Sequence, residues 1–315
     1  MNMRSVYAAL PGIALSVTLG LLVLFSPPAH ALEGPGSTGA SYLSFPIGPT
    51  AIAMGEAQTA LTIDPFGWLT NPGTLHAGGR SGIGITHTEW INDARFDNVS
   101  YHHRIREMIT LSGAFTFTYR PDIQGYDDAG LETRALKNNN YQAVIGIGIS
   151  PLDAFAAGIN IKYFQETLDE SKAAGMAVDC GALYTFDRPR VSLGLAVQNL
   201  GPDISFDSIK EPLPLTVRLG ASHSFALVPD RYQFTYTIDL VKPRFDSVFG
   251  SAGAEIELYK LFAVRGGYTG EGYRPGDGLT MGAGFHLNER WRLDYAWTPY
   301  GDLGSFHWLA LFLEL

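Results

Sequence analysis

The stretch Met108-Ile109-Thr110-Leu111-Ser112-Gly113-Ala114-Phe115-Thr116-Phe117-Thr118-Tyr119 alternates without a slip. Ile109, Leu111, Phe115, Phe117 and Tyr119 stand on one side, and Thr110, Ser112, Ala114, Thr116 and Thr118 on the other. Successive side chains of a β-strand point to opposite faces, so this is a strand with one apolar face. The pattern returns cleanly over 141–150, 155–166, 191–199, 215–224, 232–241 and 291–298. Weaker copies lie over 81–88, 95–103, 175–186, 249–258, 262–269 and 279–286, and the chain ends inside one at 306–315. Together they predict about fourteen strands of roughly 8 to 12 residues, the length a tilted strand needs to cross a bilayer.

Alternation is common to soluble sandwiches and membrane barrels, so the face opposite the apolar one decides between them. Here that face is built of Gly, Ala, Ser, Thr and Asn with scattered charges, whereas a solvated face would carry more Lys and Glu. A packed lumen fits it. The links also alternate in length: tight turns at 104–107, 151–154, 187–190, 259–260 and 287–289 are interleaved with longer links at 120–140, 167–174, 200–214, 241–247 and 270–278. Short periplasmic turns and longer outer loops give outer-membrane barrels this rhythm. The clean apolar faces hold no Asp, Glu, Lys or Arg, and a Lys or Arg there would cost about 2 to 4 kcal/mol at mid-bilayer. Tyr119, Tyr141, Tyr163 and Trp297 mark strand ends towards the long links, and Phe155, Tyr184, Phe186 and Trp291 those towards the turns, as two interfacial girdles would.

Composition agrees. Charged residues make up 17% of the 315, below the roughly 25% usual for soluble proteins. A net charge of -9 argues against nucleic acid as a partner, because phosphate binding needs a basic face. Residues 1–31 read as a signal peptide: Arg4 gives the positive start, 7–25 is apolar, and Ala29-His30-Ala31 fits cleavage before Leu32. An uncleaved anchor is the rival reading, since about twenty apolar residues span a bilayer; either way the chain is exported. The single cysteine, Cys180, can form no disulfide within the chain. Between signal and first strand, 37–75 does not alternate. Ala51, Ala53, Gly55, Ala57 and Ala60 crowd its middle, Pro46 and Pro49 open it, and Asn71-Pro72-Gly73 closes it. The expectation is a compact hatch over 32–80, lying in the lumen of a barrel formed by 81–315, with Asn71-Pro72 as the point where hatch gives way to wall.

These residues resemble a known family. Tyr42-Leu43, Pro46-Ile47-Gly48, Ala53-Met54-Gly55-Glu56-Ala57, Thr59-Ala60-Leu61, Asp64, Asn71-Pro72 and Leu75, followed by Thr86-His87-Thr88-Glu89-Trp90-Ile91, Gln198-Asn199-Leu200-Gly201-Pro202 and Gly301-Asp302-Leu303-Gly304, are similar to the PorV/PorQ family. That family is in turn similar to FadL-type transporters, fourteen-stranded barrels with an N-terminal hatch. The resemblance implies a structural hatch motif of Gly48, Met54, Gly55, Glu56, Asp64, Asn71, Pro72 and Leu75. It implies action in type IX-like secretion, with exported proteins or other secretion components as partners, or alternatively uptake of hydrophobic small molecules. The chain departs from the family pattern at Asp64, which follows Ile63 where paired aspartates are usual, at Gly73 after the Asn-Pro, and at Leu315 where barrels usually end in an aromatic residue.

Other chemistry is weakly supported. His102 and His103 point to opposite faces of a strand, so they cannot form one ligand pair; His87, His223, His286 and His307 lie near strand ends, where an amphipathic ring is comfortable. No metal site and no cofactor are expected. An outer-membrane hydrolase is an alternative, but no G-x-S-x-G elbow occurs. The Gly146-Ile147-Gly148 stretch lies in a strand and opens no helix, so it is read as room for close approach of the hatch rather than a phosphate loop. Asp122, Asp127, Asp128 and Glu132, or Glu271 and Asp277, read as solvated acidic loops without the EF-hand order. Lys162, Glu166, Asp179, Arg218, Asp239, Glu255, Arg265, Arg292 and Asp294 fall on the lumen face, together with Glu257. Buried charges need partners, so pairing across the barrel or with Glu56 and Asp64 is expected, anchoring the hatch or selecting solutes. The sum is an all-β, transmembrane antiparallel β-barrel in outer-membrane lipid.

Overall fold

The computed structural model describes residues 37–315 apart from 78, 80, 128, 188, 207, 208 and 271–277. The expected signal peptide, the first residues of the expected hatch, Asp128, Glu271 and Asp277 lie outside the described residues.

Sixteen strands form among them: β1 (Ser81–Glu89), β2 (Arg95–Arg106), β3 (Ile109–Tyr126), β4 (Glu132–Leu152), β5 (Phe155–Leu168), β6 (Ser171–Asp187), β7 (Arg190–Leu200), β8 (Ile204–Phe206) and β9 (Ile209–Glu211) in the first part. They continue with β10 (Thr216–Val228), β11 (Tyr232–Pro243), β12 (Phe249–Leu258), β13 (Phe262–Thr269), β14 (Leu279–His286), β15 (Trp291–Pro299) and β16 (Ser305–Glu314). Fourteen close into an antiparallel barrel, while β8 and β9 pair only with each other and β7 bonds directly to β10. Closure is made by β1 on β16, from Gly82↔Glu314 to Glu89↔His307. The described residues contain no helix long and apolar enough to cross a membrane.

Side-chain direction follows the sequence pattern. Ile145, Ile147, Ile161, Leu219, Ile238, Val264 and Leu309 are exposed on the outside, Ile145 by 73%. Their inward neighbours Thr110, Asn160, Ala196, Thr237 and Ala296 are fully buried. An apolar surface of that extent is stable against lipid and not against water. This is an outer-membrane barrel.

The wall is uneven. Strands β3 and β4 have 18 and 21 residues, whereas β13 and β14 have 8 each. Pairing of β2 with β3 stops at Arg95↔Tyr119 and that of β4 with β5 at Asn138↔Leu168, so 120–137 rises as a two-stranded ribbon. The sequence reading expected a long loop at 120–140 and another link at 167–174. Above the lipid both ribbon faces meet water, so no apolar alternation reveals the strand. Asp127 shapes its tip by accepting from the Ala129 and Leu131 amides at 2.9 and 2.8 Å.

The N-terminal segment is irregular, with one helical turn at Pro49–Ala53 and 3₁₀ turns at Ser41–Ser44, Gly67–Leu69 and Pro72–Ala77. Pro49 suits the first helical position because the missing N–H would be unpaired there anyway; Gly55, at φ 69°, ends the turn. Ala51, Ile52, Ala53, Met54, Ala57, Ala60 and Leu61 are fully buried. The segment touches wall glycines around the whole ring: Gly84 on β1, Gly158 on β5, Gly194 on β7, Gly253 on β12 and Gly282 on β14. Only a position inside the closed barrel allows this. A Cβ on Gly194 would lie 3.0 Å from the Ala60 Cα, and one on Gly253 2.5 Å from the Met54 Cα. Gly148 faces Leu75 in the same way, at 3.1 Å from its Cβ, so the glycines of β4 serve close approach. The chain does not leave the lumen at Asn71-Pro72: Pro72 packs on Gly158, Asn71 on Gly181, and the wall begins only at Ser81.

Candidate functional site

Four of the nine lumen charges hold the N-terminal segment. Asp239 Oδ2 accepts from the Gln58 and Thr59 amides, both at 3.0 Å, and from the Thr59 hydroxyl at 2.5 Å. Arg218 donates to the Glu56 carbonyl at 2.6 Å and to Thr59 Oγ1 at 3.2 Å, and its Nη2 lies 3.4 Å from Asp239. Arg292 donates to the Ile63 carbonyl and the Thr50 hydroxyl, each at 2.7 Å. Glu166 accepts from the Ala40 amide at 3.0 Å.

The other five brace the wall. Lys162 meets Asp179 at 2.7 Å and Asn199 at 2.8 Å, and Asp179 also accepts from the Asn199 amide. Arg265 bridges Glu255 at 2.5 Å and Asp294 at 2.7 Å, and Arg292 meets Asp294 at 2.6 Å. Partners therefore come from the same strand or from strands one or two places along the wall, not from across the barrel as expected. Towards the segment, however, the arginines bind main-chain carbonyls of Glu56 and Ile63. Irregular backbone has carbonyls with no ladder partner, and guanidinium groups supply the missing donors.

The motif residues of the segment act as its internal frame. Gly55 N donates to Thr280 Oγ1 at 3.0 Å, and that hydroxyl donates to the Ala53 carbonyl at 3.1 Å. Asn71 Nδ2 donates to the Thr59 and Ala182 carbonyls at 2.6 and 3.1 Å, while its Oδ1 accepts from the Gly73 amide at 2.9 Å. Leu75 packs with Trp68 and Val144. Asp64 Oδ1 accepts from the Phe66 amide at 3.0 Å beside Gly48. Burial pushes the Asp64 carboxyl up to about 6, against the lowering pull of the Phe66 amide and Arg292.

The segment divides the lumen. At the end of the longer links lies a cavity of about 500 Å³. One wall is an aromatic cluster: Trp90 sits 4.2 Å from Phe45 and 4.4 Å from Phe306, and Tyr300 lies 4.3 Å from Phe306. Trp308 extends it, Val241 and Phe249 face it, and Gln198, Thr216 and Arg218 form the floor. A throat of about 20 Å³ adjoins that floor, sharing Gln198 and Arg218 with the cavity and lined further by Gln58, Thr116, Gln142 and Lys162. A separate cavity of about 280 Å³ opens at the turn end, beside Thr62, Ile63, Arg290 and Arg292. Sequence reasoning missed the aromatic cavity. Its signal was present, since Phe96, Phe306 and Trp308 break the small-residue rule of the inward face.

The histidines separate as their positions imply. His102 turns inward onto Phe312, while His103 faces out and meets Ser81 Oγ at 2.7 Å. His87 pairs with Asp97 at 2.6 Å, and His307 contacts Tyr295 and Ser305 on the outer rim.

Comparison with known proteins gives two kinds of likeness. The family model described as type IX secretion system protein PorV matches residues 37–243. Among solved structures, the Ralstonia pickettii toluene transporter TbuX aligns with a TM-score of 0.57 at 14% identity, covering 85% of this chain and 97% of that one. The Pseudomonas putida toluene transporter TodX aligns with a TM-score of 0.57 at 13% identity, covering 84% and 96%. A Pseudomonas aeruginosa FadL homologue aligns with a TM-score of 0.55 at 11% identity, covering 85% and 98%. At these identities the likeness is one of fold. No curated protein matches the chain in sequence.

Proposed function

The chain belongs to the PorV family, and on that premise we propose that it is a non-enzymatic docking component of the outer membrane that engages exported proteins at its outer mouth. The observation carrying this reading is the aromatic cavity open at that mouth above a lumen filled by the N-terminal segment. A barrel so filled gives a polypeptide no path through it, so a partner has to be met at the surface. Residues 1–31 act as the export signal, 32–80 as the hatch and 81–315 as the wall; Glu166, Arg218, Asp239 and Arg292 latch the hatch. Affinity capture from detergent extracts, in a host with the secretion apparatus, is expected to recover exported proteins with their secretion-signal domains. Recovery of none would sink the reading.

A second reading is favoured by the cavity's aromatic lining and by the transporter-like fold: uptake of hydrophobic compounds past a mobile hatch. Deletion of the gene would then lower uptake of such compounds. Unchanged uptake across a panel that includes toluene would exclude it.

A further inference from the structure

One sector of the outer face departs from the lipid-facing rule. Strand β1 has 9 residues. At about 3.3 Å per residue and a tilt of about 40° these rise about 23 Å, so the whole strand lies within an apolar band about 25 Å tall. Its outward positions are Ile83, Ile85, His87 and Glu89, of which only the first two are apolar. Asp97, outward on β2, is in register with His87 and with Phe117 of β3, one outward position below the girdle residue Tyr119. His87 Nδ1 lies 2.6 Å from Asp97 Oδ1, and both side chains are exposed, by 43% and 54%. On other strands, outward positions hold residues such as Phe115, Ile161 and Leu240.

Ionisable side chains at membrane depth are costly and mark a functional surface by default. The contact between His87 and Asp97 uses one polar atom of each. Among the described residues His87 Nε2 and Asp97 Oδ2 make no hydrogen bond, for Glu89 stands 3.8 Å from that nitrogen, beyond hydrogen-bond reach. Acyl chains supply neither donor nor acceptor. A lipid phosphate would meet the carboxylates of Asp97 and Glu89, against the single guanidinium of Arg95 that stands in register with Glu89. A second copy of this chain supplies what is missing, because the membrane fixes its depth and its orientation and so brings the same polar atoms to the same height. A two-fold axis along the membrane normal, passing between β1 and β2, sets β1 of one copy against β2 of the other. His87 then faces the second copy's Asp97, and Asp97 the second copy's His87. Ile85 and Val99, in register with each other and both exposed, meet their counterparts beneath. With both ring nitrogens protonated, each imidazole donates to Asp97 of its own chain and to Asp97 of the other, and the four side chains close a neutral ring away from lipid.

We propose that the outward face of β1 and β2 is an interface between two copies of this chain, paired in the membrane through reciprocal contacts of His87 and Asp97 above an apolar contact of Ile85 and Val99. The polar pair gives the association its register and its choice of face, since apolar side chains alone are no more attractive to one another than to lipid. The proposal is independent of what the outer mouth holds, and it leaves that mouth open in both copies.

The test uses the full mature chain in outer-membrane vesicles, with Cys180→Ala removing the native thiol. Under copper phenanthroline, Ile85→Cys is expected to give a disulfide-linked dimer, and Ile238→Cys, on β11 across the barrel, none. Sedimentation in mild detergent is expected to show the native dimer. His87→Asp, which sets carboxylate against carboxylate, should weaken it by at least about tenfold. The exchanged chain, His87→Asp with Asp97→His, keeps the pairing across the axis and should recover the dimer, a rescue that a fault in folding would not give. His87→Leu with Asp97→Leu has a wholly apolar face and should remain a folded monomer. No linkage through Ile85→Cys in vesicles, linkage through Ile238→Cys instead, or a Leu double variant that dimerises as tightly as the native chain would overturn the proposal. So would a photo-crosslinker at position 85 that captures lipopolysaccharide or a different membrane protein and no second copy.

Discussion

Replacing Asp239 by alanine removes the acceptor for two amides and one hydroxyl of the hatch, and leaves Arg218 buried with its acidic partner gone. Breaking a buried ion pair from one side costs about 3–5 kcal/mol, because the surviving charge stays desolvated. The Asp239 carboxylate is fully buried, so little solvent screening discounts that figure. Asp239 and Arg218 sit on adjacent wall strands held together by their own ladder, so the wall is expected to persist when the hatch leaves. The loss therefore falls on hatch docking. At about 1.4 kcal/mol per tenfold, the open population should rise roughly a hundred- to several-thousandfold. Hydrogen exchange at the Gln58 and Thr59 amides reads this directly, and conductance of the reconstituted barrel reads its consequence. Protection should fall by that factor, and open events should appear. The double variant Asp239→Ala, Arg218→Met should recover part of the loss, because it removes the orphaned charge. A well-folded Asp239→Ala barrel with native protection at Gln58 and Thr59 would refute the latch.

Three further outcomes are expected. Gly194→Ala places a Cβ 3.0 Å from the Ala60 Cα and should lower stability by about 1–3 kcal/mol through overpacking, whereas Gly113→Ala, with its nearest contact at 3.7 Å, should be neutral; equal melting temperatures would contradict the close hatch contact. Asp64, raised to about 6 from 3.8, binds its proton more tightly folded than unfolded, so its contribution is fully favourable below about pH 4 and is lost as pH rises through 6. Asp64→Asn should remove that loss and stabilise the hatch near neutral pH by an amount on the order of 3 kcal/mol, and a pH-stability profile unchanged from the native one would contradict it. Thr38→Cys, at the outer cavity, should react with a membrane-impermeant maleimide on intact cells, while Cys180, in register with lipid-facing Ile159, should not; labelling of position 38 only after lysis would place the chain's entry at the other end.

Much of this protein is written locally. The alternation from Met108 to Tyr119 identified its strand and both of its faces, since a lipid-facing wall imposes a period of two on every crossing strand. The small residues from Ala51 to Ala60 and the wall glycines marked a segment packed backbone to backbone. The raised ribbon was not legible, because water on both sides imposes no pattern, and neither was the exit of the segment from the lumen after Pro72.

What the sequence determined by itself was the strand repertoire, the sidedness of each strand and the presence of a non-alternating insert, for these depend on neighbours one and two residues away. Only the tertiary structure decided which charges latch the insert and which brace the wall, because Asp239 and Thr59 meet across 180 residues. It alone assembled the outer cavity, where Phe45, Trp90 and Phe306 come from three distant parts of the chain. Closure of β1 on β16 brings them together, and closure is a property of the whole ring's register.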